Sequence, residues 1–175
     1  MDPLTVETTI ARPREEVFEY LADIANHAEF TDHFMEDWRL TREDTYGEGA
    51  GARFRYKARL NRFPWGDATI VELDRPRKVV VVGRTGKFNR NRTLGVYELD
   101  RAAGNSTRVR FTFETEPKLL SDRLLETGAR GRMRRKLGKA MRRLRSILEE
   151  DYDRGARPTI AGGPRKPATG APFRG

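Results

Sequence analysis

From Met133 to Leu148 the apolar residues Met133, Leu137, Ala140, Met141, Leu144, Ile147 and Leu148 recur at helical offsets. At about 100° per residue that spacing draws one continuous stripe down a helix. Such a helix has to bury its stripe against another layer. The preceding residues say which layer. Ala52–Phe63 begins with Phe54, Tyr56, Ala58 and Leu60 on one side and Arg53, Arg55, Lys57 and Arg59 on the other. In 107–115, Val109, Phe111 and Phe113 alternate with Arg108, Arg110 and Thr112. These are half-buried strands with one wet face. Further strands are expected at 35–41, 65–73, 78–84 (with its VVVV run) and 93–99. Turns fall at Gly47, Gly49 and Gly51, at Asp74-Arg75-Pro76, at KFNRNR (87–92) and at Ala103-Gly104-Asn105.

Ahead of these lies a strand over Leu4–Ala11 and then a helix. Pro13 suits its first position, Glu15 and Glu16 suit its positive end, and Val17, Phe18, Leu21 and Ile24 carry its spacing. A short second helix or turn runs through Ala25–Phe30. The order predicts an α+β domain: a curved antiparallel sheet, two short helices after its first strand, and the long C-terminal helix as cover. Residues 1–153 make one domain, and 154–175, rich in Gly, Pro and Ala, read as a disordered basic tail. Leu120, Leu124 and Leu125 lie off the straight continuation of the helical stripe, and Gly128 and Gly131 mark the break. A kink or two consecutive helices is expected there, and Leu119–Gly131 is the candidate lid, with Gly128 and Gly131 as its hinge.

No cysteine is present, which excludes disulfides and thiolate chemistry. No apolar run approaches the ~20 residues of a membrane span. The opening MDPLTVETTI lacks a basic segment followed by an apolar one. A cytoplasmic protein, at most peripheral to the inner face of the membrane, is the expectation. The net charge is +9, yet without residues 130–145 the remaining 26 bases face 26 acids. The charge is therefore a local property of one helix face.

The order of elements, with VETTIARPREEVFEYLADIANHAEF at the start, ELDRPRKVVV at 72–81 and VRFTFETEP leading into the last helix, resembles the START-like (SRPBCC) superfamily. Within it the chain is most similar to polyketide cyclase/dehydrase-type and coenzyme-Q-binding-type members, over residues 4 to about 150. The resemblance implies a helix-grip fold, a seven-stranded antiparallel sheet wrapped around the C-terminal helix with an apolar cavity between. It also implies a lipid, quinone or polyketide-like ligand, with cyclisation or dehydration in some members. Two features depart from the family pattern: the very basic final helix and its glycine break.

Cavity candidates are Trp38, Phe54, Tyr56, Trp65, Tyr97, Phe111, Phe113, Leu124, Met133 and Leu137. Their packing in the core is the simpler reading, and the resemblance favours cavity lining with Tyr hydroxyls orienting the ligand. The basic face offers Arg132, Arg135, Lys136, Lys139, Arg142 and Arg143 to an anionic surface. Like charges at Arg132/Lys136, Arg135/Lys139 and Lys139/Arg143 each cost roughly 0.2–0.5 kcal/mol in an isolated helix. Acids on neighbouring elements, or an anionic membrane, would relieve that cost. Nucleic acid is disfavoured, because no stacking platform or known motif accompanies the charge. His27 and His33 fit no metal-ligand spacing, so no metal is expected, although a general acid/base role is open to either. No cysteine nucleophile and no Gly-x-Ser-x-Gly elbow is present. No cofactor is expected, and binding is favoured over catalysis. A cyclase, aromatase or dehydratase working without metal is the alternative, and a peripheral protein docking on anionic membrane through the basic helix is the second.

Overall fold

The computed structural model describes residues 3–57, 63–116, 120–158 and 164–165, with backbone alone over 120–128 and 164–165. Strand β1 (Leu4–Ile10) leads into α1 (Arg14–Leu21), a 3-10 turn (Ile24–Asn26) and α2 (His27–Thr31). Six strands follow: β2 (Met35–Leu40), β3 (Gly51–Tyr56), β4 (Trp65–Asp74), β5 (Lys78–Thr85), β6 (Asn91–Ala102) and β7 (Ser106–Glu116). The helix α3 spans Leu120–Glu150, and Arg157–Pro158 (β8) pairs with Pro164–Arg165 (β9). The expected two consecutive helices do not form, since one helix runs through Gly131. A Cβ at Gly131 would meet nothing within 4 Å, so packing does not require glycine there.

The seven strands form one antiparallel sheet in the order β1-β7-β6-β5-β4-β3-β2. This is the helix-grip arrangement. β2 to β7 make a meander, and β1 closes its far edge by pairing over its own whole length with β7, from Leu4 opposite Phe113 to Ile10 opposite Thr107. Alternation sets the inner face. Ala52 and Phe54 of β3, Tyr97 and Leu99 of β6, and Thr107, Val109 and Phe111 of β7 are buried, while Arg53, Glu98 and Arg108 between them are exposed.

The helix stripe packs as its periodicity requires. Leu137, Ala140, Met141, Leu144 and Ile147 are buried with Phe18, Leu21, Ile24 and Phe30 of the first helical segment. Leu144 is fully buried, which contributes about 2 kcal/mol by area transfer. The end of α3 is tied to the end of β1. Arg12 Nε donates to the Leu148 carbonyl at 2.7 Å, and the Ala11 N–H donates to Glu149 Oε1 at 2.6 Å. The first bond satisfies a carbonyl that the helix end leaves unpaired.

Residues 154–158, which composition places with the tail, pack against α2 and the turn before it. Arg154 Nη1 lies 2.9 Å from the buried Glu29 carboxylate, and the Gly155 N–H donates to the Glu29 carbonyl at 2.9 Å. Arg157 pairs with Asp23. Gly155 permits this approach, because a Cβ there would stand 2.7 Å from the Glu29 carbonyl oxygen. Tyr20 donates its hydroxyl to the same carboxylate at 2.8 Å. Burial nonetheless pushes the Glu29 carboxyl above its ordinary range, against the pull of Tyr20 and Arg154.

Candidate functional site: an apolar cavity under the long helix

Between the inner face of the sheet and the helices lies a cavity of about 80 Å³, partly open to solvent. Its floor is made of small or short residues on the central strands, Ala68, Val81 and Gly95. Two aromatic groups flank that floor. On β2 and β3, Trp38 packs on Phe54 with centroids 4.7 Å apart, and Phe54 meets Tyr56 edge-on at 5.3 Å. On β6 and β7, Tyr97 stacks on Phe111 at 4.3 Å, with Phe113 beyond. α2 supplies His27, Phe30 and Thr31, and α3 supplies Met133, Leu137, Ala140 and Met141.

Local backbone decides two of these placements. Met35 and Trp38 both line the cavity although strict alternation puts them on opposite faces. The pairing of β2 with β3 shifts between Glu36 and Arg39, and Asp37 sits there in the left-handed region at φ 54°. That bulge re-aims Trp38 inward. Gly95 has a packing reason. A Cβ there would lie 3.0 Å from the Phe111 ring, which now crosses the floor unobstructed. An interior strand glycine signals close approach, and this is the sequence cue that could have singled out Gly95.

The polar groups of the lining are mostly spoken for. His27 Nε2 donates to the Leu21 carbonyl at 2.8 Å, which leaves Nδ1 without the proton in the neutral ring. Burial lowers its pKa, outweighing that hydrogen bond and the nearby Asp23, and holds it neutral. Its ring packs on Phe30 and edge-on to Tyr97. Thr31 donates to the His27 carbonyl at 2.6 Å. Burial pushes the Tyr56 and Tyr97 phenols far up, so both stay protonated. Asp67 Oδ1 accepts from the Arg84 N–H at 2.8 Å. The indole N–H of Trp38 is buried and has no hydrogen-bond partner among the described residues.

Of the sequence candidates, Trp38, Phe54, Tyr56, Tyr97, Phe111, Phe113, Met133 and Leu137 line the cavity. Leu124 and Gly128 lie outside the residues whose side chains are described, as does most of the candidate lid 119–131. Trp65 is a correction. It sits one residue from the inward Gly66, on the opposite face, where the guanidiniums of Arg53 and Arg39 approach its ring at 5.0 and 6.0 Å. Arg143 is a second correction, because it is 8% exposed and turned inward. It pairs with Asp32 and, through Nε, with Asp153 at 2.9 Å. Lys136 is half-buried, its ammonium 5.7 Å from the Phe34 ring centre, and burial lowers its pKa. Arg132, Arg135, Lys139 and Arg142 are exposed, and none of them has an acidic partner among the described residues.

The two histidines go separate ways. His33 Nε2 donates to the Lys136 carbonyl at 3.0 Å, away from His27. Among the described residues no group of three His, Asp or Glu side chains could hold a metal ion. No helix among them is long and apolar enough to cross a membrane.

A seven-stranded sheet gripping a helix over an apolar cavity defines the SRPBCC class of proteins. The chain belongs to the polyketide cyclase/dehydrase and lipid transport family, whose profile matches residues 1–149. Solved structures share the fold at low identity. TTHA0849 from Thermus thermophilus is 17% identical with a TM-score of 0.62, over 83% of this chain and 96% of that one. The major latex-like protein 151 of Panax ginseng is 15% identical with a TM-score of 0.58, again over 83% and 96%. DynU16, from the dynemicin biosynthetic locus, is 14% identical with a TM-score of 0.60, over 89% of this chain and 50% of that one. No curated protein matches the chain in sequence.

Proposed function

We propose that this protein binds a hydrophobic small molecule, a lipid, quinone or polyketide-like compound, between the sheet and α3. The cavity's aromatic and aliphatic lining carries the reading. Three of the chain's four methionines, Met35, Met133 and Met141, line it. The cavity as it stands is smaller than the engineered cavity of about 150 Å³ that admits benzene. A larger ligand therefore enters by displacing side chains, and unbranched, polarizable methionines re-pack at low cost. The neutral Tyr56 and Tyr97 phenols and the unpaired Trp38 indole N–H suit a ligand carrying an acceptor oxygen. Such a ligand would satisfy a buried donor whose isolation costs free energy. The family description, polyketide cyclase/dehydrase and lipid transport, supports this class of ligand.

The test is native mass spectrometry of freshly purified protein, followed by solvent extraction. The expected result is a stoichiometric lipid, quinone or polyketide-like mass. An empty protein that also takes up no N-phenyl-1-naphthylamine sinks the reading. An empty protein that takes up the dye keeps the cavity and favours the cyclase or dehydratase reading, since an enzyme releases its product.

A further inference from the structure

Phe88 is 84% exposed, at the tip of the β5–β6 hairpin. Its backbone is left-handed at φ 58° and ψ 28°, a region that suits Asn and Gly and disfavours a bulky residue. Asn89 beside it adopts the same conformation at φ 51°. The fold thus places an apolar ring in water on a backbone where phenylalanine is a poor choice. Its one close ring contact among the described residues is the Lys87 ammonium, 5.2 Å from the ring centre. The same ammonium lies 5.9 Å from the ring of Phe63, which is 42% exposed on the neighbouring hairpin.

Residues 84–92 carry Arg84, Lys87, Arg90 and Arg92 and no acid. Arg84 stands directly opposite Arg92, a like-charge pair that disfavours the hairpin, with Glu116 on the far side of Arg92. The same hairpin contributes Val82 and Thr93 to the cavity lining. Met133 also lines it, and its neighbours Arg132 and Arg134 are exposed without an acidic partner among the described residues. An exposed aromatic pair, two cationic segments and one side of an apolar cavity therefore share a region of the molecule.

We propose that this region docks on an anionic lipid bilayer, with Phe88 entering the interfacial layer and the hairpin and α3 cations meeting lipid phosphates. Aromatic side chains settle at the headgroup level, and bases near the surface add electrostatic attraction. A bilayer also supplies apolar molecules beside an apolar cavity, which a nucleic acid does not.

The test is co-sedimentation of the full chain with phosphatidylcholine vesicles made with and without phosphatidylglycerol. Binding is expected only to the anionic vesicles and is expected to fall with salt. Phe88→Asn keeps the left-handed preference and removes the ring, so it should weaken binding by roughly tenfold with an unchanged melting temperature. Arg132→Glu should weaken it as well. Absence of binding to anionic vesicles overturns the proposal. So does parent-like binding by Phe88→Asn, or retention on a single-stranded oligonucleotide without retention on vesicles. The cavity's ligand takes no part in this measurement, so the two readings fail independently.

Discussion

The two ends of the basic stretch in α3 carry the same residue type and live in different chemistry. Toward the C-terminus, Arg143 is buried against Asp32 and Asp153, Arg145 pairs with Glu149 at 2.9 Å, and Arg12 holds the Leu148 carbonyl. Toward the middle, Arg132, Arg134, Arg135, Lys139 and Arg142 stand exposed without an acidic partner among the described residues. The first group is structural and the second is free to meet something else. A run of arginines is thus two features in one, separated by the acids at the end of α2, in the last turn of α3 and in the turn after it.

The sharpest way to break the comparison is to truncate one residue from each set. Arg143→Ala leaves two carboxylates facing an emptied site, and urea denaturation should show a loss of about 2–3 kcal/mol, below the fully buried case because both carboxylates are partly exposed. Arg142→Ala, one residue away on the wet side, should stay within about 0.5 kcal/mol. Equal effects would erase the distinction.

A second test probes α2, the element that anchors the locked end. Burial holds the folded-state pKa of His27 below its ordinary value. The unfolded chain therefore takes up the proton first. The His27 contribution is fully present above about pH 6.5 and is lost as pH falls below it, by up to ~1.4 kcal/mol per unit. His27→Gln keeps a donor for the Leu21 carbonyl and should flatten that slope in denaturation curves between pH 7 and 5. An unchanged slope would assign the acid sensitivity to other groups.

The smallest effect belongs to the free end. Gly131→Ala adds a Cβ that meets nothing, so helix propensity alone should raise stability by up to ~1 kcal/mol. If Gly131 loosens this part of α3 for ligand entry, release of bound dye should also slow, as stopped-flow fluorescence would report. A lower melting temperature, or dye release at the parental rate, would remove Gly131 from any hinge.

The fold was legible because its signals are periodic. The stripe from Met133 to Leu148, the alternation around Phe54 and around Phe111, and the turn at Gly104-Asn105 each follow from backbone geometry. What stayed hidden depends on contacts between distant segments. Trp65 falls on the outer face because the inner face of β4 is carried by Gly66 and Ala68, which are too small to announce it in the sequence. Trp38 faces the cavity through a bulge at Asp37 that no apolar pattern records. Arg143 is indistinguishable from Arg142 in composition, and its partners lie 111 residues upstream at Asp32 and across the helix end at Asp153. The clasp of Arg154, Gly155 and Arg157 on Glu29 and Asp23 was masked by the tail-like composition around it.

The pairing of β1 with β7 also sets a timetable for biosynthesis. β1 leaves the ribosome ahead of the other six strands of the sheet, yet among the described residues its sheet partner is Ser106–Glu116, and its end is tied to Leu148 and Glu149. Until those residues emerge, β1 is an unpaired ribbon, and the nascent chain must wait for its own far end. Contacts of such long sequence separation slow folding relative to a helical chain of equal length. They also leave β7 as a bare edge if β1 is clipped away, and β1 without its partner in a chain that stops short of β7, so either truncation is a route to aggregation.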